Sequence, residues 1–178
     1  MVRRVFKAFM NYLKEEKWLN SMSKKGLQMT GYNFLCYTFK EGEPGEYIYR
    51  IELLKELPGH PESAAYLKFM EESGVEVVAT YLRWAYFRKK ASEGAFEIYT
   101  DRKGKIKHAG RVIALIITLF ALNFGIACWN LGLGLTVRGS INAYVSVVGF
   151  LVAAFLLAII ISQLRIIGQL KKNEEIEE

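Results

Sequence analysis

The chain has 178 residues, 52% of them hydrophobic and 24% charged, with a formal net charge of +6 and a mean hydropathy of +0.12. This is too apolar for an ordinary soluble domain and too charged for a wholly embedded one, so a mixed architecture is expected. The two cysteines, Cys36 in a polar region and Cys128 inside an apolar run, exclude a disulfide framework, and no His/Cys group has metal-ligand spacing.

The opening MVRRVFKAFMNYLKEE is cationic, but Lys7, Asn11 and Lys14 interrupt its apolar positions. It makes a poor signal peptide, and residues 1–107 are expected in the cytosol. A helix follows, with Leu19 and Met22 on one stripe, Lys24 and Lys25 in its last turn and Gly26 as the left-handed stop. The period then changes to two: Tyr47, Tyr49, Ile51 and Leu53 share one strand face, and Glu46, Ile48, Arg50 and Glu52 the other. A second helix starts at Pro61 with Glu62 in its first turn, carries Leu67 and Met70 on one stripe and stops at Gly74. The run YLRWAYFRKKASEGAFEIYTD (81–101) alternates again, Leu82, Trp84 and Tyr86 against Tyr81, Arg83, Ala85 and Phe87. The turn-rich KEGEPGE and KKASEGA are expected to close one hairpin after each helix.

The two stretches can be laid over each other at an offset of 48, Trp18 meeting Tyr66, Leu19 Leu67, Met22 Met70, Gly26 Gly74 and Phe39 Phe87. With one residue inserted, Gly45 meets Gly94 and Tyr47 meets Phe96. The expectation is an α+β domain over residues 1–107, built from a duplicated helix–hairpin unit (about 14–53 and 61–101). It would form a four-stranded antiparallel sheet covered on one face by two helices.

Residues 108–170 read as a transmembrane hairpin. Residues 112–135 and 141–164 pass without a charge, and each run of 24 could span roughly 36 Å as a helix. Arg102, Lys103, Lys105, Lys107 and Arg111 precede the first span, and Arg165, Lys171 and Lys172 follow the second. The connection has Arg138 alone. The positive-inside rule therefore expects a multi-pass protein of the cell membrane with both termini cytoplasmic, ending in an acidic tail over 171–178. Asn123 and Asn130, and the small pairs Ala121/Gly125 and Gly149/Ala153, suit close helix approach within the hairpin or between protomers of a homo-oligomer.

No catalytic constellation emerges, and neither a cofactor nor a reaction is expected. His60 stands just before a helix, where a capping role is commonplace, and His108 lies in the juxtamembrane linker. Glu15–Glu16 and Glu71–Glu72 are adjacent, so each pair diverges by about 100° on a helix and cannot flank one bond. Residues 1–111 hold 20 Lys+Arg against 14 Asp+Glu, which places the whole excess before the first span. Arg102, Lys103, Lys105, Lys107 and Arg111 are expected to contact anionic lipid, at about 1 kcal/mol per cation. Aromatics in strands usually reflect a half-buried pleated surface, and cations at a hairpin usually a solvated turn; nucleic acid is not expected as a partner. The functional alternative is that Arg50, Trp84, Tyr86 and Arg88 form an uncovered face that binds a protein partner or small ligand.

EKWLNSMSKKG, GEYIYRIELLKE and WAYFRKKASEGAFEIYTD, followed by two apolar spans, make the chain resemble the bacterial membrane-anchored family known as domain of unknown function number twenty-eight twelve. Leu27 stands where the family has tryptophan. The resemblance runs from about Glu16 to Lys107 and implies an inner-face domain on transmembrane helices in a Gram-positive-type bacterium. It also implies a regulatory setting beside PadR-like transcriptional regulators, and no particular reaction. A non-enzymatic, membrane-anchored regulatory or adaptor protein is expected. The alternative is an accessory subunit of a larger membrane complex acting through its hairpin.

Overall fold

The computed structural model describes residues 2–9, 11–99, 102–137 and 140–175, and the chain divides into two compact units, Met1–Thr100 and Asp101–Glu178. The first unit runs β1 (Val2–Phe6), α1 (Tyr12–Ser23), β2 (Leu27–Asn33), β3 (Cys36–Glu41), β4 (Tyr47–Leu53), α2 (Pro61–Glu72), β5 (Glu76–Tyr81) and β6 (Trp84–Lys90), ending in a 3₁₀ turn at Ala91–Glu93. The second consists of α3 (Arg102–Thr136) and α4 (Asn142–Glu175).

The first unit is α+β, but its strands form two three-stranded antiparallel sheets, ordered β1-β3-β2 and β4-β6-β5, in place of the expected four-stranded one. The reason lies in the turns. The hairpins close at Phe34–Leu35 and at Leu82–Arg83, where Phe34, Leu35 and Leu82 hold left-handed φ values of 33°, 63° and 53°. Large apolar residues rarely adopt that conformation, so a search for Gly, Asn or Pro passes over both turns. KEGEPGE instead carries the chain from β3 to β4, and KKASEGA leads out of β6. Tyr47–Leu53 therefore pairs with Trp84–Lys90 in the second sheet rather than with β3, and no strand forms around Phe96.

Each half has the order β-α-β-β with the third strand central. The offset of 48 reaches details of backbone shape. The bulge between Met29 and Gly31 recurs between Val77 and Ala79, and the left-handed Phe34 recurs at Leu82. The helix-stopping glycines Gly26 and Gly74 have φ of 76° and 80°. At Gly26 a Cβ would lie 3.0 Å from the Gly42 carbonyl oxygen, so the close approach adds to the conformational demand for glycine.

Alternation sorts the strands. In the first sheet Met29, Tyr37 and Phe39 point into a core with Leu19 and Met22 of α1. In the second sheet Ala85 and Phe87 pack with Met70 and Val75 around α2, whereas Tyr49, Ile51 and Tyr86, on the opposite face, join the core built on α1. The second sheet is thus covered on both faces, and one cover comes from the other half.

In the second unit α3 and α4 are long and apolar enough to cross a membrane, over Lys103–Thr136 and Asn142–Arg165, with mean hydropathies of 2.3 and 2.8. They run side by side because glycines admit the neighbouring helix. A Cβ on Gly149 would lie 2.8 Å from the Ala127 Cβ, and one on Gly134 would lie 2.6 Å from the Ala143 amide nitrogen. Asn123 donates from Nδ2 to the Gly149 carbonyl at 2.8 Å, while Asn130 bonds back to Ile126 of its own helix. A Cβ on Gly125 would meet nothing within 4 Å, so this glycine is not a point of close approach between the two helices.

Candidate functional site

The contact between the halves begins on one stripe of α1. Glu16, Asn20 and Ser23 recur at helical spacing, and they meet every second residue of β4, an edge strand of the second sheet. The Ile51 amide donates to Glu16 Oε1 at 2.8 Å and the Tyr49 amide to Asn20 Oδ1 at 2.9 Å. Asn20 Nδ2 donates to the Tyr49 carbonyl at 3.1 Å, and Ser23 Oγ to the Tyr47 carbonyl at 2.8 Å. One helical turn advances about 5.4 Å and two strand residues about 6.6 Å, close enough for three successive rungs. The polar edge of β4 is thereby satisfied by side chains rather than by another strand.

One residue earlier, Glu15 points into the core. The hydroxyls of Tyr37 (2.6 Å) and Tyr86 (2.8 Å), one from each sheet, both donate to Glu15 Oε1. The Tyr32 ring lies 4.7 Å from Tyr37 and 4.8 Å from Tyr86 and closes the cluster. Burial pushes the Glu15 carboxyl above its ordinary value, against the two phenol bonds that hold it down. Burial, with the carboxylate beside them, also drives both phenols far up, so Tyr37 and Tyr86 stay protonated donors. Burial likewise lifts Glu16 to about 7, opposed by the Ile51 amide bond and by Arg50. A second carboxylate, Glu52, receives the hydroxyls of Tyr66 at 2.6 Å and of Tyr99 on the α2 side.

Trp84, Tyr86 and Arg88 do share one face of β6, but that face is occupied. Trp84 packs beside Tyr12 of α1, with ring centroids 6.2 Å apart, and Tyr86 is only 3% exposed. Arg88 grips Glu76 in a fork at 2.8 and 2.7 Å, donates from Nη1 to the Met29 carbonyl of β2 at 3.0 Å, and lies over the Tyr47 ring. Arg50 stands apart from these three. It pairs across the sheet with Phe87, on the other face, and bonds Glu97 at 2.6 Å. The two ends of Met29 are thus tied to the second sheet, since its amide also donates to the Tyr49 hydroxyl at 2.9 Å.

His60 caps α2, its Nδ1 accepting from the Glu62 amide at 3.3 Å. Lys103, Lys105 and Lys107 are exposed on α3 and Arg111 is half-buried. The side chains of Arg102, Lys171 and Lys172, together with Arg138 and residues 176–178, lie outside the described residues. Among the described residues no three His, Cys, Asp or Glu side chains converge to hold a metal ion.

The offset of 48 then shows what is left open. Trp84, Tyr86 and Arg88 correspond to Cys36, Thr38 and Lys40 of β3. In the second sheet these positions lie under α1 and β2; in the first, β3 pairs with β1 to present Phe6 with Cys36, Arg4 with Thr38 and Val2 with Lys40. Val2, Arg4, Phe6 and Lys40 are exposed and Cys36 and Thr38 half-buried. Two halves docked head to tail leave one copy of the docking face unused. This face was missed at the sequence level because VRRVF mixes apolar and cationic residues on both strand faces, with no period-two signal, and was weighed only as part of a poor signal peptide.

A family model described as Protein of unknown function (DUF2812) matches residues 11–121, which span the first unit's helices and five of its strands together with the start of α3. Comparison with curated proteins gives no match, and comparison with solved structures gives none either.

Proposed function

The chain belongs to this family of proteins of unknown function, and we propose that it is a membrane-anchored, non-enzymatic regulatory or adaptor protein whose first unit binds a protein partner. The observation that carries the reading is the unused docking face of the first sheet, Val2, Arg4, Thr38 and Lys40. Its twin in the second sheet is covered by α1, a helix that brings apolar side chains together with the carboxylate Glu15. A cationic and apolar face of the same architecture suits a partner segment that is apolar and acidic. The PadR-like regulators implied by the family resemblance are the first partner class to test. The buried acids support a structural role: Glu15, Glu16 and Glu52 are each engaged by donors of the protein itself.

In this reading α3 and α4 form a transmembrane hairpin in the cell membrane, with both termini cytoplasmic, supported by their length and hydropathy and by the cations that flank them. Its packing surfaces, Gly134, Gly149 and Asn123, are engaged between α3 and α4, which favours an anchor over a docking subunit.

The test is quantitative mass spectrometry of proteins crosslinked to the full chain in native membranes, beside an Arg4→Glu/Lys40→Glu variant of unchanged melting temperature. The expected result is a soluble regulator captured by the first and lost from the second. Equal capture of membrane proteins by both, with no soluble protein distinguishing them, would move the function to the hairpin.

A further inference from the structure

The two hairpin tips lie together and expose apolar side chains that no fold requirement explains. Phe34, Leu35 and Leu82 occupy the turns and are 67%, 38% and 66% exposed, and the Phe34 and Tyr81 rings are 6.5 Å apart. Phe6, 78% exposed, joins them at the end of β1, where the following Lys7 amide donates to the Leu35 carbonyl. The backbone there is costly for these residue types. Phe34 and Leu35 both hold the left-handed conformation of a type I′ turn, for which Asn-Gly is the relaxed choice. Strain held by bulky apolar residues at an exposed tip points to a use for the side chains.

Charge identifies the occupant. The two turns and the strand ends that close them, residues 30–38 and 79–86, contain no acidic residue, while Arg83 lies in the second turn, Lys7 directly follows Phe6 and Arg4 precedes it by two residues. Apolar points with interfacial tyrosines, Tyr32 and Tyr81, set among cations of one sign fit the headgroup layer of an anionic bilayer. Two helices of membrane-spanning length in the same chain keep a bilayer within reach. We propose that the tips Phe34–Leu35 and Leu82 insert into the headgroup layer of an anionic membrane, giving the first unit a second contact with the lipid. This rests on the membrane reading of α3 and α4.

The test uses the full chain in phosphatidylcholine vesicles containing phosphatidylglycerol. A polarity-sensitive fluorophore is placed on Leu82→Cys in a Cys36→Ser/Cys128→Ser background. A second label on Ser92→Cys, in the 3₁₀ turn beyond the far end of β6, serves as control, and a third on native Cys128, with Cys36→Ser alone, reports on the helices. The expected result is that a shallow lipid-borne nitroxide quenches the Leu82 label several-fold more than the Ser92 label, while acrylamide quenches it less. Phe34→Asn/Leu35→Gly should lower that lipid quenching several-fold while raising the melting temperature, because the turn relaxes as the anchor is lost. An acrylamide-accessible Leu82 label beside a lipid-buried Cys128 label would overturn the insertion alone. A Leu82 label shielded from acrylamide but untouched by the lipid quencher would mean that protein, such as a second copy, covers the tips, and would also overturn it. A Cys128 label left in water would overturn the membrane reading, and the insertion with it.

Discussion

Glu16 is the contact between the halves most sensitive to pH. Burial lifts its carboxyl from 4.5 to about 7. A folded value above the unfolded one means that the folded state holds the proton more tightly. Its contribution is therefore fully present below about pH 4.5 and lost as pH rises through about 7. Glu16→Gln keeps an oxygen acceptor for the Ile51 amide and has no proton to lose. Denaturant unfolding across that interval should show the unaltered protein losing of order 1–3 kcal/mol relative to the variant, and parallel pH profiles would refute the assignment. Glu15 is displaced in the same direction, so the variant's own profile should keep some slope. At Arg88, lysine would lose the fork to Glu76 and cannot also reach Met29, and a loss of roughly 1–2 kcal/mol is expected on thermal unfolding. Neither role was legible in the residues alone. The sequence places Glu15 and Glu16 about 100° apart on a helix, and only the elements packed against α1 decide what each of them meets.

Helix α1 does for the β4 edge what a further strand would do in a larger sheet. Asn20 is its central rung, bonding both the amide and the carbonyl of Tyr49. Asn20→Ala should cost about 1–3 kcal/mol, because it leaves half-buried backbone groups unpaired, and it should speed amide exchange at Tyr49 specifically. Unchanged exchange there would show that water or a neighbouring group takes over the bonds. In the hairpin, a Gly149→Val side chain would collide with Ala127, and the pairing of α3 with α4 should loosen. Disulfide trapping between cysteines placed along the two helices would detect this, and unchanged trapping would refute it. The helices were readable in advance from their stops and stripes, Gly26, Gly74, Leu19 and Met22 among them, since those signals are local. The strand partners were not, because Phe34–Leu35 and Leu82 are turns that carry no turn residues.

The first unit is two similar halves that depend on each other unequally. A fragment of residues 46–100 would uncover Tyr49, Ile51 and Tyr86, which are at most 3% exposed in the whole. It is expected to aggregate or bind a hydrophobic dye, and a soluble fragment that unfolds cooperatively would show that the halves are independent. Composition and periodicity were sufficient for the α+β character and the two long apolar helices, because each of these depends on residues close together in the chain, and laying the chain over itself was sufficient for the correspondence at offset 48. Which strand β4 joins, the burial of Tyr86 and the fork on Arg88 depend instead on one half meeting the other, and nothing in a single strand's alternation tells which of its faces a distant helix will cover. The same docking decided that the open face belongs to β1 and β3 rather than to Trp84, Tyr86 and Arg88: a head-to-tail contact covers one of two equivalent surfaces and leaves the other free.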